Sequence, residues 1–327
     1  MAHTYSATPR PSTLGGGTMP SSRPFVHRRR RRTARLRRQL VAWTFALPVV
    51  GYLLVLYAYP LYRNLDLSIR NYTVESFVKG HAPFAGLQNY RTDFHDPTFA
   101  PALVHTLLFT FVSITFQFAI GLSLAVFFTR RFRLSATLRA LFLVPWLLPL
   151  IVSASTWSWM LNSDSGVVNF VLHSVGIARI NWLTSPSWAL VSVIIANIWI
   201  GIPFNLVVMY SGLQAIPAEV YEAASLDGAN GRQRFWRITF PLLRPVTAIT
   251  LLLGLVYTLK VFDIIWIMTR GGPASSSTTF ATWSYRLSFG NLLPEFGPGA
   301  AVANVLIIMT LGFSLVYFHI QRKARGA

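Results

Sequence analysis

Residues 217–245 read PAEVYEAASLDGANGRQRFWRITFPLLRP, a short polar stretch between two long apolar segments. Pro217 suits the first position of a helix. Glu219 and Glu222 fall in the first turns, where the positive end of the helix dipole favours carboxylates. Gly228 is a natural C-terminal stop for that helix. A helix this short cannot cross a bilayer, which requires roughly 20 residues. It therefore lies against the membrane or against another protein.

Six apolar segments are long enough to cross a bilayer, each near or above roughly 20 residues. They are residues 40–62, 102–128, 140–161, 188–213, 245–268 and 300–320. Pro145 and Pro149 in the third segment predict a kink. Only the fifth segment contains formal charges, Lys260 and Asp263. We therefore predict an all-α membrane protein with six transmembrane helices and a short helix between the fourth and the fifth.

The composition supports this class. The chain has 327 residues, of which 53% are hydrophobic and only 12% are charged, whereas a soluble domain usually carries about 25% charged residues. It contains no cysteine, which excludes disulfides, thiolate metal sites and cysteine nucleophiles. The net charge of +19 could suggest nucleic acid. However, most of this charge flanks the apolar segments, so we expect a membrane topology signal and no nucleic-acid partner.

The distribution of basic residues predicts the orientation. The two ends of the chain and the loops 129–139 and 214–241 together carry twenty Lys and Arg residues. The loops on the opposite side, 63–101, 162–187 and 269–299, carry seven. By the positive-inside rule, both termini and the polar stretch after the fourth span face the cytoplasm.

The domain organisation is predicted to be simple. Residues 1–39 are rich in Pro, Ser, Thr and Gly and then strongly basic, which predicts a disordered cytoplasmic arm. A cleaved signal peptide is disfavoured because the apolar run after the arm is far longer than the usual 7–15 residues or so. Residues 40–321 form the six-helix domain, and residues 322–327 form a cytoplasmic tail.

The polar stretch resembles the EAA loop of permease subunits of ATP-binding-cassette importers, and its extended form resembles the carbohydrate branch. The matching residues are Glu222, Ala223, Ala224, Asp227, Gly228 and Ala229, followed by Phe235, Ile238, Thr239, Pro241 and Pro245. Phe240 stands where Leu is commoner, and both residues are apolar. The resemblance implies that the first six residues form a coupling helix, seated in a cleft of the ATPase subunit. The alternative is an ordinary solvated loop.

Two outer loops extend the resemblance. Residues 84–90, FAGLQNY, are similar to the F-x-G-L-x-N-Y element of the maltose-type first permease subunit. Residues 269–273, TRGGP, resemble the T-x-G-G-P element of the same subunit type. The resemblance covers about residues 40–321 and leaves the N-terminal arm unexplained.

The sequence contains no nucleotide-binding loop, because none of Lys79, Lys260 and Lys323 is followed by Ser or Thr. We therefore expect no cofactor in this chain and no enzymatic activity. ATP and Mg²⁺ are expected on a separate ATPase chain. Two polar groups could suggest a metal site or a catalytic site, and neither is carried forward. They are Asp93, His95 and Asp96 in the first outer loop, and Ser155, Ser158 and His173.

Polar residues inside the spans are the candidates for a substrate pathway: Asn197, Asn205, Tyr257, Lys260, Asp263 and Asn304. One interpretation is structural, with Lys260 and Asp263 on one helix face neutralising each other and the asparagines bonding between helices. The other is a sugar site, with Asn and Asp meeting hydroxyls while Trp199, Tyr210 or Tyr257 stacks on the ring. In the resembled permeases the central spans hold the sugar, and Phe262-Asp263 is similar to a recurrent F-D pair.

The resemblance implies a multi-pass permease in a prokaryotic cytoplasmic membrane. The expected partners are a second permease subunit, two ATPase copies docking on residues 217–229, an extracytoplasmic substrate-binding protein and a carbohydrate. An alternative is an importer of another polar solute, such as glycerol phosphate or a polyol. A distant alternative is a polytopic membrane enzyme, although no catalytic carboxylate pair is found.

Overall fold

The computed structural model describes residues 43–130 and 132–326 of the chain. These residues form helices joined by loops, with two isolated β-bridges, Arg70–Phe84 and Thr73–Glu295. The prediction of an all-α chain is therefore confirmed. The predicted arm of residues 1–39 lies outside the described residues.

We number the helices of the described residues in chain order. They are α1 (Trp43–Ser68), α2 (Val74–Lys79), α3 (Gln88–His95), α4 (Phe99–Phe128), α5 (Ser135–Leu147), α6 (Leu150–Met160), α7 (Val167–Ser174), α8 (Pro186–Gln214), α9 (Ala218–Leu226), α10 (Gly231–Leu259), α11 (Asp263–Met268), α12 (Phe280–Tyr285) and α13 (Phe296–Gly326). Single π-helical turns interrupt α1 at Leu54–Ala58 and α10 at Phe235–Thr239. A third π-helical turn, Arg286–Gly290, follows α12.

Five helices of the described chain are long and apolar enough to cross a membrane: α1, α4, α8, α10 and α13. A sixth span is possible if α5 and α6 count together, although the pair bends by 98°. The bend follows from the sequence, because the proline ring of Pro149 disfavours a helical conformation at the preceding residue, and Leu148 is accordingly extended. The predicted kink in the third segment is thus confirmed at Pro149.

The predicted bounds of the fifth span are wrong. The segment 245–268 is not one helix, because α10 begins at Gly231, ends at Leu259 and is followed by a break before α11 starts at Asp263. Lys260 and Asp263 therefore do not lie on successive turns of one helix face, as the prediction assumed. The last helix, α13, continues to Gly326 through the segment predicted as a cytoplasmic tail, and that assignment stays a prediction.

Residues 43–60 form one unit and the residues from Leu61 onward form a second. In the first, the described side chains are exposed or half-buried, and none is buried. In the second, the central contact is between α4 and α8. A methyl group on Gly121 would lie 2.4 Å from Cβ of Asn205, so only glycine permits this approach of the two helices.

Three apolar clusters hold the second unit together. The first joins α4, α6, α8 and α11 and contains Phe109, Val193 and Ile265. The second lies at the other end of α4 and α8 and includes Leu206 and Met209. The third packs α4, α12 and α13 and is built from Ala102, Phe280, Trp283 and Val302.

The FAGLQNY element has a structural role in the second unit. The Asn89 side chain donates hydrogen bonds to the backbone oxygens of Ser68 and Arg70, at 2.8 and 3.0 Å. The hydroxyl of Tyr90 lies 2.8 Å from Oγ of Ser68 and accepts a hydrogen bond from Asn304 on α13 at 3.0 Å. The element thus ties the end of α1 to α13.

The TRGGP element forms a compact turn before α12. Arg270 and Gly271 have positive φ angles of 53° and 81°. Oγ1 of Thr269 lies 2.7 Å from Oγ of Ser277, and Thr278 donates to the backbone oxygen of Gly271 at 2.8 Å. These bonds fix the loop that follows α11.

Candidate functional site

A cavity of about 560 Å³ lies between the broken third span, α8 and the junction of α10 with α11. Its walls are formed by Gln117, Pro145, Trp146, Leu148, Leu150, Asn197, Ile200, Gly201, Phe204, Gly254, Tyr257, Thr258, Lys260, Val261, Asp263 and Ile264. This volume is within the usual range of small-molecule sites, about 300–1,000 Å³. Both helix breaks border the cavity. Irregular backbone at membrane depth is tolerated where it lines such a space.

The polar wall of the cavity is built from two amides. Gln117 is 5% exposed, and its amide nitrogen donates a hydrogen bond to the backbone oxygen of Asn197 at 2.9 Å. Asn197 is also 5% exposed, and its own amide nitrogen has no partner among the described residues. A methyl group on Gly201 would lie 2.2 Å from the amide carbon of Gln117. Glycine at this position therefore makes room for the glutamine, and Asn197 keeps a free donor.

The charged groups border the same cavity but do not form a pair. The amine of Lys260 lies 5.0 Å from the ring centroid of Tyr257, within the range of a cation–π contact. Among the described residues, Lys260 and Asp263 do not form an ion pair. The cavity thus presents one cation, one carboxylate and three aromatic side chains, Trp146, Phe204 and Tyr257.

The structure brings four of the six predicted pathway residues together: Asn197, Tyr257, Lys260 and Asp263. Asn205 and Asn304 do not line this cavity. The side chain of Asn205 donates to the backbone oxygen of Gly201 on its own helix at 2.9 Å. Asn304 accepts a hydrogen bond from Asn64 at 2.7 Å. Both asparagines therefore have partners within the bundle.

The other aromatic candidates lie elsewhere. Trp199 packs edge-on against Trp157 at 5.9 Å, and Tyr210 lies beneath the guanidinium of Arg139 at 4.3 Å. Sequence reasoning missed Gln117 and Trp146 as cavity residues. Gln117 could have been found, because it is the only amide side chain within α4. Trp146 could not, since its place depends on the bend after α5.

The predicted loop helix is present as α9, Ala218–Leu226. It ends in a Schellman motif: Ala229 N–H donates to the oxygen of Ala224 at 2.9 Å, and Gly228 N–H donates to that of Ser225 at 3.1 Å. Gly228 has a φ of +76°, and a Cβ added at this residue would have no neighbour within 4 Å. Glycine is favoured here by its backbone conformation and not by lack of space.

One side of α9 packs on the bundle and the other is open. Ala224 is buried, and the hydroxyl of Tyr221 lies 3.1 Å from Oγ1 of Thr239 on α10. Glu222 and Asp227 are exposed, and the side chain of Leu226 is 90% exposed. The helix is thus anchored to the bundle and presents acidic and apolar side chains outward.

Comparison with known proteins identifies the class. Residues 117–326 match the family described as binding-protein-dependent transport system inner membrane component. The chain is 34% identical over 285 residues to the trehalose/maltose transport system permease protein MalF of Thermococcus litoralis, covering 87% of this chain and 95% of that protein. It is 32% identical to the lactose transport system permease protein LacF of Rhizobium radiobacter, covering 86% and 94%.

A solved structure supports the fold. A chain of a bacterial ABC transporter involved in the import of the acidic polysaccharide alginate superposes with a TM-score of 0.77, covering 90% of this chain and 99% of that chain at 24% identity. With the family match, these findings identify a multi-pass membrane protein that acts in transport and not as an enzyme. The chain belongs to the family of inner membrane components of binding-protein-dependent transport systems.

Proposed function

We propose that this chain is one of two permease subunits of an ATP-driven importer and that a carbohydrate passes through the cavity beside Asn197. The observation that carries the proposal is the free amide donor of Asn197 in a cavity that also holds Tyr257 and Asp263. The names of the relatives agree with a sugar, since they include trehalose/maltose and lactose permeases.

The cavity chemistry suits a sugar. Amides and a carboxylate are the usual hydrogen-bonding partners of hydroxyl groups, since they combine donors and acceptors. The rings of Tyr257 and Trp146 offer apolar faces against which the C–H face of a pyranose can pack. A phosphate-bearing solute would find Lys260 as the one cation in the lining and would meet the carboxylate of Asp263. The cavity therefore favours a neutral sugar over a glycerol phosphate.

We further propose that α9 is the coupling helix and that it docks in a cleft of a cytoplasmic ATPase. Its outward side offers Glu222, Leu226 and Asp227. On the inner side, the hydroxyl of Tyr221 lies 3.1 Å from Oγ1 of Thr239 on α10, and the buried Ala224 accepts the hydrogen bond that closes the end of the helix. The excess of basic residues on the loops at this end supports the cytoplasmic orientation of both termini and of α9.

The proposed assembly contains this chain, a second permease, two ATPase copies that bind ATP and Mg²⁺, and an extracytoplasmic substrate-binding protein. Closure of the ATPases on ATP draws the two coupling helices together and opens the spans outward to receive the sugar. Release of ADP and phosphate returns them inward. This is alternating access between two states of the spans.

The test is uptake by the complete importer in proteoliposomes, with the sugar that its own binding protein carries. Gly201→Ala places a methyl group against Gln117 and should abolish uptake. The double variant, Gln117→Ala with Gly201→Ala, removes this clash, so the subunit should assemble at wild-type levels. Its uptake should nevertheless stay low, because the amide of Gln117 is lost from the cavity wall. Gly312→Ala is the matched control, because nothing lies within 4 Å of a Cβ there. Full uptake by the double variant would contradict the proposal.

A further inference from the structure

A second, larger cavity lies at the other end of the α4–α8 pair. Its volume is about 1090 Å³, and it is bordered by the C-terminal ends of α4 and α8 and the first turns of α9 and α10. Four of its lining residues are arginines: Arg130, Arg133, Arg139 and Arg234. No carboxylate is among the lining residues. The cavity is therefore strongly positive and is separate from the proposed sugar cavity.

The guanidinium groups are available to a ligand. Within residues 43–130 and 132–326, none of the four forms an ion pair with a carboxylate. Arg139 lies over the ring of Tyr210, and Arg234 donates to Oγ of Ser225 at 3.1 Å. These contacts orient two of the guanidinium groups and leave their charge uncompensated. Arginine forks match phosphate oxygens in pairs, which makes phosphate the fitting anion.

The cavity lies at the ends of two helices that are long and apolar enough to cross a bilayer. Two spanning helices, α4 and α8, end at its wall, and its floor is apolar, with Val126, Phe128 and Ile216. Apolar side chains beside it are exposed: Leu134 by 62% and Trp236 by 57%. A ligand with a phosphate at the helix ends and acyl chains along the spans would match both parts of this surface.

We propose that this cavity binds the headgroup phosphate of an anionic phospholipid. Basic pockets between transmembrane helices on the cytoplasmic side are suited to such headgroups. Because Ala218 and Tyr221 of α9 form part of the wall, the bound lipid would contact both α9 and the loop before α5. The binding step is independent of which solute the importer carries.

The test compares two double variants that each remove two positive charges from this end of the protein. Arg130→Gln with Arg133→Gln removes two charges from the cavity. Arg232→Gln with Arg237→Gln removes two exposed charges that are not among its lining residues. The complete importer is exchanged into nanodiscs of phosphatidylcholine with and without phosphatidylglycerol, and retained lipid is measured by native mass spectrometry.

We expect the wild-type importer and the Arg232/Arg237 variant to retain phosphatidylglycerol, and the Arg130/Arg133 variant to bind it about 30-fold more weakly. This estimate follows because a basic residue near anionic lipid is worth about 1 kcal/mol and about 1.4 kcal/mol is a factor of ten. Equal retention by the two variants would overturn the proposal.

Two other outcomes would reassign the cavity. If inorganic phosphate titrated into phosphatidylcholine nanodiscs saturated the site while phosphatidylglycerol gave no preference, the ligand would be free phosphate and the lipid proposal would fail. If the Arg130/Arg133 variant kept its lipid but lost ATPase subunits during purification, the arginines would contact that protein, and the lipid proposal would fail likewise.

Discussion

The amine of Lys260 lies 5.0 Å from the ring centroid of Tyr257, although Asp263 is only three residues away. Because α10 ends at Leu259 and α11 begins at Asp263, the chain between them is not helical. The two charges therefore project from different elements, and within the described residues they form no ion pair. Each is available to a ligand in the cavity.

This geometry gives a prediction for Asp263. Asp263→Asn should leave assembly of the importer intact, because no lysine depends on this carboxylate for its partner. If the carboxylate bonds a sugar hydroxyl, the apparent affinity of transport for the sugar should fall roughly 10- to 150-fold, since a charged hydrogen bond is worth about 1.5–3 kcal/mol. Uptake is measured at matched subunit levels in the membrane.

The control is the double change Lys260→Met with Asp263→Leu. If the two residues only neutralised each other, Asp263→Asn would lower subunit levels and the double change would restore transport. If Asp263 bonds the sugar, the double variant stays inactive. Normal transport by the double variant would show that Asp263 does not bond the sugar.

A second prediction concerns the end of α9. Gly228→Ala should destabilise the Schellman motif by about 1–2 kcal/mol, because a non-glycine residue pays that cost in the left-handed region. The proposed ATPase joint should weaken, so fewer ATPase subunits should co-purify and uptake should fall. Gly231→Ala is the matched control, since Gly231 is three residues away, exposed and without positive φ. Equal losses in both variants would contradict a special role for Gly228.

A third prediction follows from Asp93, which is 5% exposed on α3 and has one carboxylate oxygen without a hydrogen-bond partner. Burial, assisted by the charges of Asp96 and Glu295, raises the pKa of Asp93 to about 7 from 3.8. Between pH 3.8 and about pH 7, the Asp93 carboxyl is therefore protonated in the folded chain and ionised in the unfolded chain. This contribution to stability is fully present below pH 3.8 and is lost as the pH rises through about 7.

Thermal unfolding of the importer in detergent tests this. Between about pH 5 and about pH 8 the free energy of unfolding should fall by on the order of 3 kcal/mol, since about two pH units separate pH 5 from the raised pKa and each unit corresponds to about 1.4 kcal/mol. Asp93→Asn should flatten that dependence, whereas Asp164→Asn, at an exposed loop position, should not. An unchanged pH profile in the Asp93 variant would refute the assignment.

A fourth prediction concerns orientation. The chain has no cysteine, so single cysteines report sidedness. Arg232→Cys lies at an exposed site outside the proposed docking helix and should react only with reagent on the cytoplasmic side. Leu292→Cys, in the loop before α13, is also at a fully exposed site and should react only from outside. Labelling of both from one side would contradict the six-span topology.

The sequence predicted much of the fold because apolar length and loop charge are local properties. The spans at α4, α8 and α13 and the helix that stops at Gly228 were predictable from them. The break after Leu259 was not, because Val261 and Phe262 are apolar and continue the hydrophobic pattern. The break places Lys260 and Asp263 on different elements, and that depends on the packing of Ile264 and Ile265 against α6 and α8.

The candidate site was only partly predictable. Intramembrane polarity pointed to Asn197 and Asn205 alike, yet only Asn197 lines the cavity. Asn205 faces Gly121 across the contact of α4 with α8 and bonds to its own helix. The difference arises from the packing of two helices, which the pattern of one helix does not contain. Gln117 was missed although it is the only amide side chain in α4, and its position in the cavity wall depends on the space left by Gly201.

The central claim is that the sugar passes beside Asn197 and Tyr257. The most direct measurement is substrate protection of Tyr257→Cys in the complete importer, with its loaded binding protein and a small thiol reagent. We predict that sugar slows alkylation at this position and leaves the rate unchanged for Asp164→Cys, at an exposed loop position outside the cavity lining. Equal alkylation rates at position 257 with and without the transported sugar, in an importer that still transports, would contradict this pathway.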